Sequence, residues 1–144
     1  MRHSIRRQLG FSVLELVTVV TIIGLLLAIA IPRGQLLMDR VSVGAAAADV
    51  KAVLGTARSL ALAGRSMVAV DIDSAGGVVR IRRGPELLQV RNLAQLHGVQ
   101  LGCTRDSLAY DAHGLGRGAA NLSVILRRRD AAETVFVSRL GRVR

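Results

Sequence analysis

A long apolar run near the N-terminus constrains this chain more than any other feature. Residues 11–31 read FSVLELVTVVTIIGLLLAIAI, and the only charged side chain among them is Glu15. As a helix with a rise of 1.5 Å per residue, such a run is roughly 30 Å long, which matches the hydrocarbon core of a bilayer. The preceding segment, MRHSIRRQLG, contains arginines and no acid. This basic flank predicts a cytoplasmic N-terminus and a translocated remainder.

Two common kinds of apolar N-terminal segment are alternatives for this run. One is a secretory signal, because Ala28, Ile29 and Ala30 offer an A-x-A-like cleavage site. The apolar core of a signal is only about 7–15 residues long, however, and this run is longer. The other is a plain single-pass anchor. Neither accounts for Glu15, because a carboxylate near the membrane interior is costly and usually marks a partner.

The start of the apolar run resembles the type IV prepilins, a family that includes the pseudopilins of type II secretion. The matching residues are Gly10, Phe11 and, at the fifth place after Gly10, Glu15; Ser12 replaces the threonine that is commoner in the family. The resemblance implies that a prepilin peptidase cuts between Gly10 and Phe11, and that Phe11 is then N-methylated. It also implies that Glu15 pairs with the N-terminal amine of a neighbouring subunit, which agrees with the rule that a buried charge needs a partner.

Helical periodicity resumes after the apolar run. Pro32 should end or kink the first helix, because proline lacks an N–H and clashes with the preceding turn. The helix should stop at Gly64, a residue type favoured just past helix C-termini. Asp39 and Asp49 fall off the predicted apolar stripe. That stripe, which we expect to pack on the chain's own domain, comprises Leu36, Leu37, Val41, Ala48, Val50, Val53, Leu54, Ala57, Leu60 and Ala61.

Beyond the helix the apolar pattern changes to a period of two. Residues 68–72 and 79–82 predict a hairpin around a turn at 74–77, and further strands are predicted at 87–93, 98–103, 121–127 and 134–140, the last two joined by a turn at 128–133. The predicted fold class is α+β and pilin-like, with a long N-terminal hydrophobic helix followed by a small antiparallel β-sheet head. We expect a leader at 1–10, a helix at 11–64, whose residues 11–31 form the transmembrane segment and filament core, and a head at 65–144.

A head of this size has a thin core, so the amphipathic half of the helix should complete it. We therefore expect residues from about Ser42 onward to fold as a soluble monomer when the apolar segment is deleted.

The remaining composition points away from catalysis. The single Cys103 rules out an internal disulfide and a cysteine-based zinc cage, and we interpret it as a small buried hydrophobe. The three histidines are scattered and have no metal-ligand spacing. Residues 113–118 contain a G-x-G-x-G without the Lys-Ser/Thr of a phosphate-binding loop, so we interpret them as a flexible loop. The prediction is a protein that is not an enzyme and needs no cofactor or metal.

The C-terminal half adds a second resemblance. A Gly-rich turn at 110–118, an apolar strand, an Arg-rich turn and the ending VFVSRLGRVR resemble the H-type minor pseudopilins, the GspH/FimT family. In FimT-type minor pilins a G-R-x-R stretch is associated with binding DNA for uptake, and residues 141–144 match that pattern. Arg142 and Arg144 would share one face of an extended tail. The alternative is a solvated basic terminus that serves only solubility.

Two functional hypotheses follow. The first is a minor subunit that initiates or caps a type II secretion pseudopilus or a type IV pilus. The second is a minor pilin that binds DNA, mainly through Arg142 and Arg144, because the side chains of residues 127–129 should diverge in a turn. The net charge of +10 favours such acidic partners. Expected partners are other pilins, the prepilin peptidase and, under the second hypothesis, DNA. The expected location is the bacterial inner membrane, with a single span and a periplasmic head, and then the filament after processing.

Overall fold

The computed structural model describes residues 12–117, 122–138 and 140–144. It begins with helix α1 (Val13–Gly64), whose helical conformation continues through Pro32, so the proline does not end it. The helix stops at Gly64, as the sequence predicts. The chain divides into two compact units, Met1–Gln35 and Leu36–Arg144.

The N-terminal unit is helical and apolar. Every residue from 12 to 35 is exposed, and α1 contains an 18-residue window of mean hydropathy 2.7 of which 0% is buried. By length and composition this helix is able to cross a membrane.

The C-terminal unit contains two antiparallel sheets. One has five strands in the order β3-β2-β1-β5-β6, and the other has three in the order β4-β7-β8. The predicted fold class, a long apolar helix followed by an antiparallel β head, is confirmed. The strands are β1 (Val68–Asp73), β2 (Val78–Arg83), β3 (Glu86–Asn92), β4 (Gln100–Cys103), β5 (Ser107–Tyr110), β6 (Gly116–Arg117), β7 (Leu122–Arg128) and β8 (Ala131–Val137), and the short helix α2 (Leu93–His97) follows β3.

The first predicted hairpin is confirmed. β1 and β2 pair with Ile72 opposite Val79, and the turn between them is closed by the Gly76 N–H, which donates to Asp73 Oδ1 at 2.9 Å. Gly77 has a φ of +63°, and a Cβ at this position would lie 2.4 Å from the Cβ of Ala94. The turn therefore depends on glycine for both its backbone conformation and its packing.

The predicted wide turn at 128–133 is wrong. Arg128 pairs with Ala131, so Arg129 and Asp130 alone form the turn between β7 and β8. Two-residue hairpin turns need a positive φ, and Arg129 supplies one, at 49°. As a consequence β8 begins earlier than predicted and ends at Val137.

The segment interpreted as a flexible loop is a closed turn followed by a short strand. Asp111 Oδ1 accepts hydrogen bonds from the N–H groups of His113 at 2.9 Å and Leu115 at 3.0 Å. β6 then pairs with β5. The bonds from Leu115 and His113, with Arg117 nearby, hold the pKa of Asp111 below its usual value. Gly118 lies outside the described residues.

One hydrophobic cluster joins α1 to the inner faces of both sheets. The second half of the predicted helix stripe is confirmed, because Val50, Val53, Leu54, Ala57 and Ala61 are all buried. Its first half is wrong. When the 3.6-residue helical period is continued from Val50 toward the N-terminus, it passes through other residues than those of the predicted stripe. Exposed there are Leu36, Leu37, Val41 and Ala48, whereas the buried positions are Asp39, Val43, Ala46 and Ala47.

Cys103 is partly buried and packs against this cluster. Its Sγ donates to Asp106 Oδ1 at 3.4 Å. Burial raises the pKa of the thiol, and the Asp106 carboxylate acts in the same direction. A raised pKa disfavours the reactive thiolate. Cys103 is partly buried, whereas the sequence predicts a buried residue.

Candidate functional site

The helix start carries the residues predicted to act in assembly. Gly10 and Phe11 lie outside the described residues. The carbonyl of Ser12 accepts the Leu16 N–H at 3.1 Å, as an N-cap residue does. Ser12 and Glu15 thus occupy the N-cap and N3 positions, which is the S-x-x-E spacing of a capping box. Glu15 lies in the first turn of α1, the end at which a helix dipole favours negative charge, and its side chain is exposed.

The last residues of the chain fold back along β8. Val143 bridges to Val137, and Phe136 and Arg144 exchange two backbone hydrogen bonds, of 3.1 and 2.9 Å. Directly opposed residues of an antiparallel pair place their side chains on the same face. Phe136, Arg142 and Arg144 are all exposed, whereas Val143 packs against the hydrophobic cluster. The terminus is therefore an ordered edge of the three-stranded sheet with both arginines outside.

Gly141 fixes this tail to the core. Its N–H donates to the Ser138 carbonyl at 2.8 Å, and its φ is +74°. A Cβ at this position would lie 2.7 Å from Cε1 of Tyr110. Tyr110 is fully buried, and burial raises the pKa of its phenol. The glycine of the G-R-x-R stretch is thus required by packing, and it sets the position of the arginines that follow.

An exposed aromatic ring lies beside the two terminal arginines. Phe136 is 56% exposed and is one of two phenylalanines in the chain. Together with Arg142 and Arg144 it lines a shallow depression of about 220 Å³. Arginine forks suit phosphate oxygens, and a solvent-exposed ring offers a stacking surface for a planar group. Sequence reasoning identified the two arginines but missed Phe136, whose alternation with Val135 and Val137 was the available signal.

The arginines expected to diverge in a turn instead converge on one buried carboxylate. Asp39 on α1 is 2% exposed, and it accepts from Arg128 Nε at 2.9 Å and from Arg129 at 3.0 Å. Arg128 also donates to Ser42 Oγ at 2.9 Å and to the His97 carbonyl at 2.6 Å. Arg128 and Arg129 are therefore structural, whereas Arg127 is exposed on the outer side of β7.

A second polar cluster ties α1 to the end of α2. Asp49 accepts from His97 Nε2 at 2.9 Å and pairs with Arg91 at 3.2 Å. The hydrogen bond from His97 and then that from Arg91 lower the pKa of Asp49. The arrangement holds a charged carboxylate at the edge of the core, and all three side chains are occupied by one another.

The type IV minor pilin FimU of Pseudomonas aeruginosa shares this architecture. Its crystal structure in space group P21 matches with a TM-score of 0.63 at 17% identity, over 75% of this chain and 90% of that chain. The chain has the type IV pilin fold. A second FimU structure, in space group P65, matches this pilin fold with a TM-score of 0.58 at 16% identity, over 70% of this chain and 90% of that chain.

Sequence similarity to pilins is local. Curated fimbrial proteins of Pseudomonas aeruginosa are 43% identical to this chain over 63 residues, which make up 44% of this chain and 41% of each relative. The similarity thus spans about two fifths of the length of these relatives. No protein-family model matches the chain. The fold and the fimbrial similarity together support the type IV pilin superfamily.

Proposed function

We propose that this chain is a minor subunit of a type IV pilus or of a type II secretion pseudopilus, acting in filament initiation or at the filament tip. The observation that carries the proposal is an apolar helical segment, residues 13–35, whose residues are all exposed, in the same chain as a self-contained head of the pilin fold. An apolar surface of this size must be shielded from water by lipid or by other protein. Lipid of the inner membrane covers it before assembly, and the helices of other pilins cover it afterwards. The Arg-rich ending supports a place in the H-type, GspH/FimT group.

Processing by a prepilin peptidase is part of this proposal. Cleavage between Gly10 and Phe11 removes the basic leader and leaves an N-methylated Phe11 two residues before α1 begins. Intact-mass measurement of membrane-extracted protein is expected to show loss of residues 1–10 and the addition of one methyl group. A mature chain beginning at Ile31 would indicate a secretory signal instead, and an unprocessed chain would indicate a plain anchor.

In this proposal Glu15 neutralises the N-terminal amine of a neighbouring subunit. Glu15→Ala should still insert in the membrane, because removing a charge makes insertion easier, but it should co-purify poorly with the other pilins. Thr18→Ala is the matched control, since Thr18 lies in the same run and its hydroxyl bonds only the Leu14 carbonyl of its own helix, at 2.8 Å. Equal recovery of both variants in the filament fraction would rule out the pairing role.

A second candidate function is DNA binding for uptake, and the convergence of Arg142, Arg144 and the exposed Phe136 favours it. The test is a titration of the detergent-solubilised chain with duplex DNA at several salt concentrations. Each phosphate contact that is lost should lower the salt slope of log affinity by roughly 1. Arg142→Gln with Arg144→Gln is therefore expected to lower it by about 2.

The matched control is Arg80→Gln with Arg82→Gln, on the outer face of the five-stranded sheet. Arg128 is unsuitable as a control, because its loss leaves the buried Asp39 short of a partner, whereas Asp73 and Asp71, which pair with Arg80 and Arg82, are partly exposed. Equal losses in both double variants would mean that only overall charge matters, and filament assembly would remain as the supported function.

A further inference from the structure

The three-stranded sheet has an outer surface of which the second candidate function uses only Phe136. Alternate residues of β4, β7 and β8 face away from the core, and none of them is buried. No acidic side chain is among them, although acids are found on the outer face of the other sheet, where Asp71 is an example. We call this set the open face; it consists of Gln100, Gly102, Ser123, Ile125, Arg127, Ala132, Thr134 and Phe136.

Two depressions mark the ends of the open face. The one beside Phe136 is described above. The other has a volume of about 240 Å³, and its lining includes Gly102, Ile125 and Arg127. Gly102 lies opposite Ile125 and contributes no side chain, which deepens the surface at this point.

The strand register fixes the distance between the two ends. Arg127 pairs with Ala132, and Ser123 pairs with Phe136. Arg127 therefore lies four residues along the strands from the level of Phe136, or about 14 Å at 3.4 Å per residue. Arg127 thus lies at one end of the open face and the terminal arginines lie at the other. No side chain of the open face is acidic, and the exposed Phe136 ring lies at the end of the terminal arginines.

We propose that the open face, together with Arg142 and Arg144, binds a single-stranded nucleic acid. The inference rests on the second candidate function and deepens it. Phosphates contact Arg127 at one end and the terminal arginines at the other, and an unpaired base stacks on Phe136. A positively charged track with an aromatic platform is the usual arrangement for single strands. A duplex already stacks its bases on one another, so its base faces are not available to the ring.

Charges of both signs border the Arg127 end of the open face. Arg128 and Arg129 pair with Asp39 but are partly exposed, and together with Arg127 they line a depression of about 440 Å³. Asp130 and Glu133 line a depression with Arg40, and Ala132 of the open face lies at its border. The described residues that line the two depressions marking the ends of the open face include no aspartate or glutamate.

The test measures anisotropy of a labelled oligothymidylate of about twelve nucleotides, and of a duplex of equal length, with the full chain in non-ionic detergent. Tighter binding of the single strand is expected. Phe136→Leu should weaken single-strand binding about fivefold to a hundredfold, the loss of one stacked base, and leave duplex binding unchanged. Arg127→Gln should lower the salt slope by about 1. Arg82→Gln, an arginine on the outer face of the other sheet, is the control. Thermal unfolding of each variant checks that it is folded.

Three results would overturn the proposal, and they separate it from the function on which it rests. Equal or tighter binding of the duplex, with Phe136→Leu unchanged, assigns nucleic-acid binding to the terminal arginines alone. Salt slopes that respond to Arg142→Gln but not to Arg127→Gln exclude the open face and retain the second candidate function. If neither probe binds, both the single-strand proposal and the second candidate function are wrong, and the filament role is unaffected.

Discussion

At the scale of single residues, Asp39 organises the polar contacts of the head. A carboxylate that is 2% exposed would be strongly unfavourable alone, and here two guanidinium groups surround it. The same pairing holds Arg129 at its positive φ of 49°, a conformation that costs a non-glycine residue free energy. Arg128, which pairs with Asp39, also donates a hydrogen bond to the carbonyl of His97, the last residue of α2. One helix residue thus fixes both the β7–β8 turn and α2.

Asp39→Asn should lower the free energy of unfolding of the head by about 2 kcal/mol, because the charge-assisted hydrogen bonds from two partly exposed guanidinium groups to this buried side chain are weakened. Urea denaturation of the full chain in detergent, followed by circular dichroism of the β signal, measures the change. Asp130→Asn, in the exposed turn beside Arg129, is the control and should change it by less than about 0.5 kcal/mol. Equal effects of the two substitutions would show that Asp39 contributes no more than a surface charge.

Asp49 predicts a dependence of stability on acid pH. Its folded pKa lies below the usual 3.8, chiefly because His97 and Arg91 donate hydrogen bonds to it. A lowered carboxyl pKa gives a stabilisation that is complete above the unfolded pKa and is lost as the pH falls through the folded value. The melting temperature of the head should therefore fall below about pH 4. Asp49→Asn should reduce the decrease in melting temperature at acid pH. The reduction should be partial, because Asp73 and Asp111 also have lowered pKa values and are still present in the variant. An unchanged pH profile in this variant would contradict the assignment.

At the scale of elements, the parts with strong local patterns were predictable from the sequence. The β1–β2 hairpin combines clean alternation with a Gly-Gly turn, and the second half of the helix stripe has regular three- and four-residue steps. β5 and β6, of four and two residues, were not predicted, and two residues are too few to show a period. The helix face before Val43 was predicted wrongly because the apolar residues there are exposed and the buried one is Asp39, which becomes favourable only through arginines some 90 positions away.

The C-terminal hairpin is likewise determined by contacts distant in sequence. Local pattern extended a strand to residue 140, whereas β8 ends at Val137 and the chain turns back at Gly141 against Tyr110. The two terminal arginines were found from a motif, but their position beside Phe136 depends on this turn.

Gly141→Ala should release the terminal hairpin. The new Cβ would lie 2.7 Å from Tyr110 Cε1 and 3.2 Å from the Gly116 nitrogen, at a φ of +74° that alanine disfavours. Hydrogen exchange of the Phe136 and Arg144 amides should become faster, while the β1–β2 amides stay protected. Gly55→Ala is the control, since a Cβ there meets nothing within 4 Å and alanine favours the helix. Unchanged protection at Phe136 would mean that the tail docks without needing a glycine.

At the scale of the whole molecule, the division into two units has a direct consequence for which part of the chain folds alone. The compact C-terminal unit begins at Leu36, and Asp39 belongs to it. From the sequence, an independent head is expected to start near Ser42, and Asp39 is expected to lie off the apolar stripe. A chain beginning at Ser42 lacks the buried carboxylate and leaves Arg128 and Arg129 without their partner.

Three truncations therefore give a graded expectation. A chain starting at Leu36 should be soluble, monomeric and cooperative in unfolding, because it keeps the whole buried stripe and Asp39. One starting at Ser42 should fold but lose about 2 kcal/mol, because the charge-assisted hydrogen bonds of Arg128 and Arg129 to Asp39 are lost, and Asp39→Asn in the longer chain should reproduce that loss. One starting at Gly64 should aggregate, because both sheets then expose the apolar surface that α1 covers. Gel filtration and urea denaturation measure all three. Equal stability of the first two chains would show that the Asp39 cluster does not hold the head together, and a soluble, cooperative third chain would show that α1 is not part of its core.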